Sequence, residues 1–309
     1  MYYFIINEAG GRGRAGEKWR AIRRELLTKN VAHAAWMTHA KGEAMALARL
    51  VSAQEETDKR IVVLGGDGTI NEVINGITDF ESVALGVVPI GSGNDFARGL
   101  GMPKRPEHAM YQIFHSKGDT RLDLGEVKMD QHAPRRFGIS AGVGMDAKVC
   151  QMVEASLSKS VLNRVNLGHL SYALLTLRAV LEMESARGVA IFERENDTVT
   201  RVFDQLTFLA AMNFRAEGGG VPIAPKASAH DGLLSACMAK DFTTSSALRM
   251  LPALGLGKHV GKKGVSVTEV KKVALHLETP LVVHADGEML GSAHDISFEV
   301  LPKALRVLV

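Results

Sequence analysis

The stretch Ile61-Val62-Val63-Leu64-Gly65-Gly66-Asp67-Gly68-Thr69-Ile70-Asn71-Glu72-Val73 constrains the fold of this chain more than any other. Four apolar residues, three of them β-branched, specify a short buried strand. Three glycines in the next four positions make a turn that most side chains could not follow. Ile70, Val73, Ile74 and Ile77 then fall at helical spacing, so the chain runs strand, glycine loop, helix. That arrangement aims backbone N–H groups and the positive end of a helix dipole at one spot, which suits a phosphate. The glycines alone fit a ligand-free connection equally well. Asp67 shifts the balance, because a carboxylate beside a phosphate calls for a metal, a cation or a proton in transit.

Around this stretch, residues 1–125 alternate strands and helices. Strands are expected over 3–6, 34–38, 61–64 and 83–89, with helices over 17–27 and 43–53. Trp19, Ile22, Leu26 and Leu27 mark one side of the first helix. Such alternation means a parallel sheet covered on both faces, with ligands at the carboxyl ends of the strands. From about Asp123 short alternating runs take over, at 123–127, 136–139, 189–192, 205–212, 233–239, 272–277, 281–284 and 296–300. They predict a mainly antiparallel β domain, a sandwich or a partly closed barrel, with a solvent-exposed hairpin tip at 193–200. The 309 residues therefore divide into an α/β domain over 1–125 and a β-rich domain over 126–301. The closing strand, 302–309, is expected to return to the first domain.

Charge and cysteine content exclude some classes. Lys plus Arg is 37 against 34 Asp plus Glu, a net +3, too little to argue for nucleic acid. Cys150 and Cys237 lack metal-ligand spacing, which fits a reduced cytoplasmic setting. The N-terminus has no basic leader with a long apolar core. The most apolar helical stretch, 161–181, is broken by Asn163, Arg164, Asn166, His169 and Arg178, so membrane contact is expected to be peripheral. In 241–264 the apolar Phe242, Leu248, Met250, Leu251, Leu254 and Leu256 precede Lys258, His259, Lys262 and Lys263. This suits either an anionic bilayer surface or a packed helix with a solvated basic end.

Gly11-Arg12-Gly13-Arg14-Ala15-Gly16 matches GxGxxG, but the next strand offers no acidic residue for a ribose. A P-loop fails as well, because Glu17 stands where a lysine is needed. A second polar glycine loop, Gly91-Ser92-Gly93-Asn94-Asp95-Phe96-Ala97-Arg98, ends the 83–89 strand; Asn94 or Asp95 could also simply cap a helix. Asp286-Gly287 reads as a hairpin turn between flanking apolar runs, and Asp231-Gly232 is open to the same reading. His284 and His294 flank the former, where a lone histidine is more often structural.

Taken together, Gly65-Gly66-Asp67-Gly68-Thr69-Ile70-Asn71-Glu72 and Gly91-Ser92-Gly93-Asn94-Asp95-Phe96-Ala97-Arg98 resemble the catalytic domain of the diacylglycerol kinase family. That family includes sphingosine kinases and soluble bacterial lipid kinases, and shares its first-domain fold with NAD kinases. The likeness runs nearly the full length. Phe137-Gly138-Ile139-Ser140-Ala141-Gly142-Val143-Gly144-Met145-Asp146-Ala147, Gly218-Gly219-Gly220, Pro225, His230-Asp231-Gly232-Leu233-Leu234 and Asp286-Gly287-Glu288 follow in family order.

The resemblance implies an N-terminal NAD-kinase-like doubly wound α/β domain plus a C-terminal mainly antiparallel β-sandwich domain. It implies ATP contacts from Asn7, Glu8, Ala9, Gly10 and Gly11, from Thr38 with Gly42-Glu43-Ala44 beside it, from Gly65, Gly66, Asp67, Gly68, Thr69, Ile70, Asn71 and Glu72, and from Ser92. Asp286 is implied as the general base on the lipid hydroxyl, with Glu288 beside the nucleotide; in the sphingosine kinase branch the counterpart of Asp67 is assigned to catalysis. Ser228, Asp231 and Leu233, the last through its carbonyl, match a structural Mg2+ site, although Ser235 stands where many members carry a second acid. The expectation is an ATP- and magnesium-dependent lipid kinase of phospholipid metabolism, cytoplasmic and peripheral to the inner membrane face; a homodimer is allowed but not required. The alternatives are an NAD-kinase-like phosphotransferase and a non-catalytic nucleotide- or lipid-sensing module on the same fold.

Overall fold

Runs of β-branched and aromatic residues build the first strands, and each run hands over to an amphipathic helix. In the computed structural model, which describes residues 1–8, 13, 15–118, 120–130, 132–158 and 168–309, these are β1 (Tyr2–Asn7) and α1 (Ala15–Thr28), β2 (His33–Thr38) and α2 (Glu43–Ser52), β3 (Lys59–Gly65) and α3 (Asp67–Gly76), then β4 (Val83–Pro89) with the short α4 (Asp95–Gly99) and α5 (Pro106–His115). The strands pair in parallel in the order β2-β1-β3-β4, and Arg306 and Val307 add in parallel beside Ala84 and Leu85 of β4. Every residue of β4, and all of Ile61–Leu64, is buried, as a strand covered on both faces requires. Helix α1 buries Trp19, Ile22 and Leu26, whereas Leu27 falls off the stripe and is exposed. Because β1 lies between β2 and β3, the chain reverses its winding direction there. This opens a crevice at the carboxyl ends of β1 and β3.

The remaining elements are β5 (Thr120–Met129), β6 (Arg135–Phe137), β7 (Ser140–Gly144), α6 (Met145–Ser158), α7 (Gly168–Leu181), β8 (Ala186–Glu193), β9 (Thr198–Met212), β10 (Leu234–Lys240), α8 (Thr244–Gly255), β11 (Val265–Val270), β12 (Lys272–Ala285) and β13 (Glu288–Val307). By density of contacts the chain forms two units, Met1–Leu124 with Pro302–Val309, and Gly125–Leu301. Within the second unit β9 lies at the centre, antiparallel to β10, β7 and β8, and β12 runs antiparallel to β7, β8 and β13. Alternation along β9 explains its burial on both faces. Leu209 and Ala211 join a core shared with β8, β12 and β13, while Phe208, Ala210 and Met212 face a second core covered by α6, α7 and α8; Leu206 joins the first core beyond a shift of register against β10. The two expected strands at 272–277 and 281–284 are one strand, β12, with a shift of register between His276 and Leu281. The apolar helix expected over 161–181 is seen from Gly168 onward, and 161–167 lie outside the described residues. Among the described residues no helix is long and apolar enough to cross a membrane.

Candidate active site

At the crevice of the first unit, the turn from β3 into α3 is made by Gly65 and Gly66. Gly66 is extended (φ −100°) and brings no side chain to cap α3, so the first-turn amides have no intrahelical acceptor. The backbone of the second glycine loop packs against it, and a Cβ on Gly91 would meet the Gly66 Cα at 2.6 Å. Asn7, at the end of β1, donates from Nδ2 to Thr69 Oγ1 at 2.9 Å and so bridges the winding reversal. Thr38 is buried, Ser92 is exposed, and Glu8 stands at the surface beside His39 at 3.2 Å. Ile70 and Asn71 are buried in the interior of the unit, and Ala9, Gly10 and Gly11 lie outside the described residues.

The two acids of this loop cap helices. The Asp67 carboxylate accepts the backbone N–H of Asp95 at 3.1 Å and of Phe96 at 3.0 Å, at the start of α4. Glu72 accepts from Gly42 at 2.9 Å and Ala44 at 3.2 Å, at the start of α2. Backbone donors and helix dipoles thus compensate Asp67, a partner that the sequence argument did not include.

In the second unit, Asp286 and Gly287 connect β12 to β13. Both have positive φ, 48° and 82°, as a two-residue type I′ hairpin turn demands. The turn reading of Asp-Gly therefore holds, but it does not exhaust the role of Asp286. Its carboxylate reaches back to accept the N–H groups of Gly138 (2.8 Å), Ile139 (2.8 Å) and Ser140 (3.1 Å), while its own N–H donates to the Ser140 carbonyl at 2.8 Å. A small polar motif thereby becomes a clamp that fixes the direction of one acid.

Under the turn lies a buried polar network. His284 Nε2 lies 2.7 Å from Asp146 Oδ2, and His284 Nδ1 lies 3.2 Å from the Gly287 backbone N. Ser140 Oγ donates to Glu217. Burial first, and then the charge of Asp146, push the Glu217 carboxyl well above the usual carboxylate range. Burial acts to raise Asp146 too, but His284 and Glu217 outweigh it and hold that carboxyl below its ordinary value. Asp146 is then the anion, accepting from a protonated Glu217 and from His284. The ligating atoms of Asp146, Glu217 and His284 lie within 4.8 Å of one another, joined by protons that a metal ion would have to displace.

Glu217→Gln mimics the protonated acid and tests this assignment. A carboxyl raised above its unfolded pKa stabilises the fold fully below that value, and the contribution is lost as pH rises through the folded pKa. The melting temperature of Glu217→Gln relative to wild type is therefore expected to climb as pH rises above the ordinary glutamate value of 4.5. A difference that stays constant from about pH 5 to about pH 8 would mean that Glu217 is not the protonated member.

Ser228, Asp231 and Leu233 sit in the loop before β10, where the Asp231 carboxylate accepts the Leu233 N–H at 3.1 Å. Ser235 bonds both carboxylate oxygens of Glu269 on the paired strand β11, at 2.9 and 2.8 Å. Partial desolvation and the charge of Asp231 raise the Glu269 carboxyl, with Ser235 opposing them. Strand pairing thus supplies from β11 an acid at the position where the sequence shows only Ser235. Hard oxygen donors of this kind, carrying mutual carboxylate repulsion, fit Mg2+.

Residues 1–127 match the family model described as diacylglycerol kinase catalytic domain, and 139–309 match the YegS C-terminal NAD kinase beta sandwich-like domain. The chain belongs to the diacylglycerol kinase and YegS family of lipid kinases. It is 29% identical to YtlR of Bacillus subtilis (strain 168) over 302 residues, covering 94% of each chain. It is 30% identical to a diacylglycerol kinase of Mycobacterium tuberculosis over 262 residues, 84% of this chain and 79% of that one. A crystal structure of a diacylglycerol kinase from Bacillus anthracis str. Sterne shares the fold, with a TM-score of 0.69, 18% identity, and coverage of 99% of this chain and 96% of that chain.

In this lipid-kinase chain the sequence reading named most of the polar residues at both turns but missed several partners. Asp146 and Ser140 stood inside a quoted motif without a role, and Glu217 and Glu269 were not singled out. The available signal was an acid directly before the Gly218-Gly219-Gly220 run, which alone does not announce a buried network.

Proposed function

We propose that this chain transfers the terminal phosphate of ATP to the hydroxyl of a lipid such as diacylglycerol. The observation that carries the reading is the glycine-built N-terminus of α3 at the winding reversal, in a chain of lipid-kinase family. The first-turn amides of α3 and its dipole hold the anionic phosphates, with Asn7, Thr69 and the Gly91–Ser92 backbone around them. Asp286, fixed by three N–H donors, aligns the lipid hydroxyl and takes its proton as the new O–P bond forms and the bond from the γ-phosphorus to the bridging oxygen breaks, releasing ADP. Glu288 follows it at the start of β13. Magnesium bound with ATP supplies charge neutralisation at the β and γ phosphates. Asp67 serves this site by capping α4 and so holding the two glycine loops together. Nucleotide binding is assigned to the first unit and lipid binding to the second.

The lipid is met at a membrane surface. Leu174, Leu177 and Leu181 form an exposed apolar stripe on α7. Residues 242–264 hold no acid, and Leu256 and Val260 stand exposed among Lys258, Lys262 and Lys263. That composition suits the anionic inner face of a bilayer, so co-sedimentation is expected with phosphatidylglycerol vesicles and not with phosphatidylcholine vesicles.

Purified protein with radiolabelled ATP, mixed lipids and, separately, NAD tests the reading. Label in the organic phase is the expected result. Nucleotide binding without transfer to any lipid would overturn it, and label in NAD would replace it with an NAD-kinase activity.

We assign a second, structural Mg2+ to Ser228, Asp231, the Leu233 carbonyl and Glu269. Magnesium is expected to raise the melting temperature over that in chelator. The increment should shrink in Asp231→Asn and in Glu269→Gln, measured without nucleotide; an equal increment in both variants would remove these acids from the site.

A further inference from the structure

Backbone N–H groups hold the Asp286 carboxylate, and those N–H groups are themselves held by a residue outside the turn. The Ile139 N–H that donates to Asp286 Oδ1 at 2.8 Å belongs to the same peptide unit as the Gly138 carbonyl. The Ser140 N–H that donates to the same oxygen at 3.1 Å shares its unit with the Ile139 carbonyl. A peptide unit is planar, so fixing its carbonyl fixes the direction of its N–H. The Ile139 carbonyl accepts the backbone N–H groups of Asn213 at 2.9 Å and Phe214 at 3.1 Å. The Gly138 carbonyl accepts Nδ2 of the Asn213 side chain at 2.9 Å.

Strand pairing accounts for the first of these anchors and not for the second. β9 pairs with β7 as far as Met212 against Ser140, and the Asn213 N–H carries that pairing one step further. Phe214 then returns to the same Ile139 carbonyl, so both main-chain donors point there and the side chain of Asn213 serves Gly138. Gly138 is buried, and a buried carbonyl needs a donor. A carbonyl only accepts, which fixes the orientation of the amide with Nδ2 toward Gly138. Asn213 is 1% exposed, so water does not compete for this bond. Two hydrogen bonds thus run in series, from Nδ2 to the Gly138 carbonyl and from the Ile139 N–H to Asp286 Oδ1. Bonds in series polarise one another, and this series ends on a charge.

We propose that Asn213 is a positioning residue, whose side-chain amide sets the Gly138–Ile139 peptide plane and through it the direction of the Asp286 carboxylate. The inference rests on the lipid-kinase reading for the role of Asp286 as base, and adds to it a residue that acts only through Asp286.

Asn213→Ala removes the side-chain donor and leaves the backbone bonds to Ile139 in place. Asn213→Leu removes the same donor but keeps the branching and nearly the size of asparagine. A role in packing alone therefore predicts recovery in the leucine variant. Instead, both variants are expected to lower kcat for lipid phosphorylation at least about fivefold, with KM for ATP within about twofold of wild type, because a slightly misplaced group loses rate steeply. In an Asp286→Asn background, Asn213→Leu is expected to change the residual rate by less than about twofold, since residues acting as one unit are not additive. Without ATP or lipid, amide hydrogen exchange followed by NMR is expected to quicken at Ile139 and Ser140 in both variants and to stay as in wild type at Ala236 and Met238 of β10. Recovery of kcat in Asn213→Leu, a fivefold loss that persists in the Asp286→Asn background, or wild-type exchange at Ile139 would each overturn the proposal. The exchange arm needs no substrate. A wild type that phosphorylates no lipid would therefore end the kinase reading and leave exchange to decide the role of Asn213. An active wild type with unaltered kcat in both variants would remove Asn213 and leave the kinase reading standing.

Discussion

Asp286→Asn is expected to lower lipid phosphorylation by about 10²- to 10⁴-fold, the usual worth of a positioned acid–base group, with nucleotide affinity close to wild type. Asparagine tolerates the positive φ of a type I′ turn, so the hairpin should persist. One oxygen of the carboxylate becomes an NH2 group, however, and it faces one of the three N–H donors from Gly138, Ile139 and Ser140. A melting curve must therefore accompany the rate measurement. A large loss of turnover with a small fall in melting temperature assigns the proton transfer to Asp286; near-normal turnover excludes it. Asp67→Asn should behave differently. It weakens the bonds to the Asp95 and Phe96 amides, so stability falls together with nucleotide affinity.

The contrast between these acids shows where the sequence was informative. The strand, glycine loop and helix at 61–73 are local, and β-branched residues, glycines and helical spacing specify them without reference to the rest of the chain. The Asp286-Gly287 hairpin is equally local. The meaning of each acid is not. Asp67 answers amides 28 and 29 positions away, and Glu72 caps a helix 28 to 30 positions earlier. Ser140 meets Glu217 across 77 positions, and Asp146 meets His284 across 138. Such partners follow from topology, and pattern reading has no access to them. Strand β7 was hidden for another reason. Its sequence, Ser140-Ala141-Gly142-Val143-Gly144, has the small residues of a loop, yet all five are buried and paired with β9 and β12. Small residues are needed there: a Cβ on Gly142 would lie 2.0 Å from Asp146 Oδ2 and 2.8 Å from His284 Nε2.

The same reasoning, applied to the two glycine loops, gives a graded pair of variants. Gly91→Ala places a methyl group 2.6 Å from the Gly66 Cα and 3.0 Å from Asn94 Oδ1. The first neighbour is backbone and cannot rotate away, so the loops must separate. Overpacking of this kind costs about 1–3 kcal/mol, and here the displacement falls on the turn that feeds the α3 N-terminus. Nucleotide affinity is expected to fall by at least about tenfold, since about 1.4 kcal/mol of misplaced amide contacts suffices. Gly66→Ala puts its methyl 3.3 Å from the Gly91 Cα, a contact that a shift of a few tenths of an ångström relieves, so both effects should be smaller. Neither position has a positive φ among the strained backbone angles, so contact and not conformational strain sets this order. Titration of ATP into both variants, with their melting temperatures, checks it. If Gly91→Ala bound ATP as tightly as wild type, the packing of the two loops would have no part in holding phosphate, and the nucleotide would have to be sought elsewhere in the first unit.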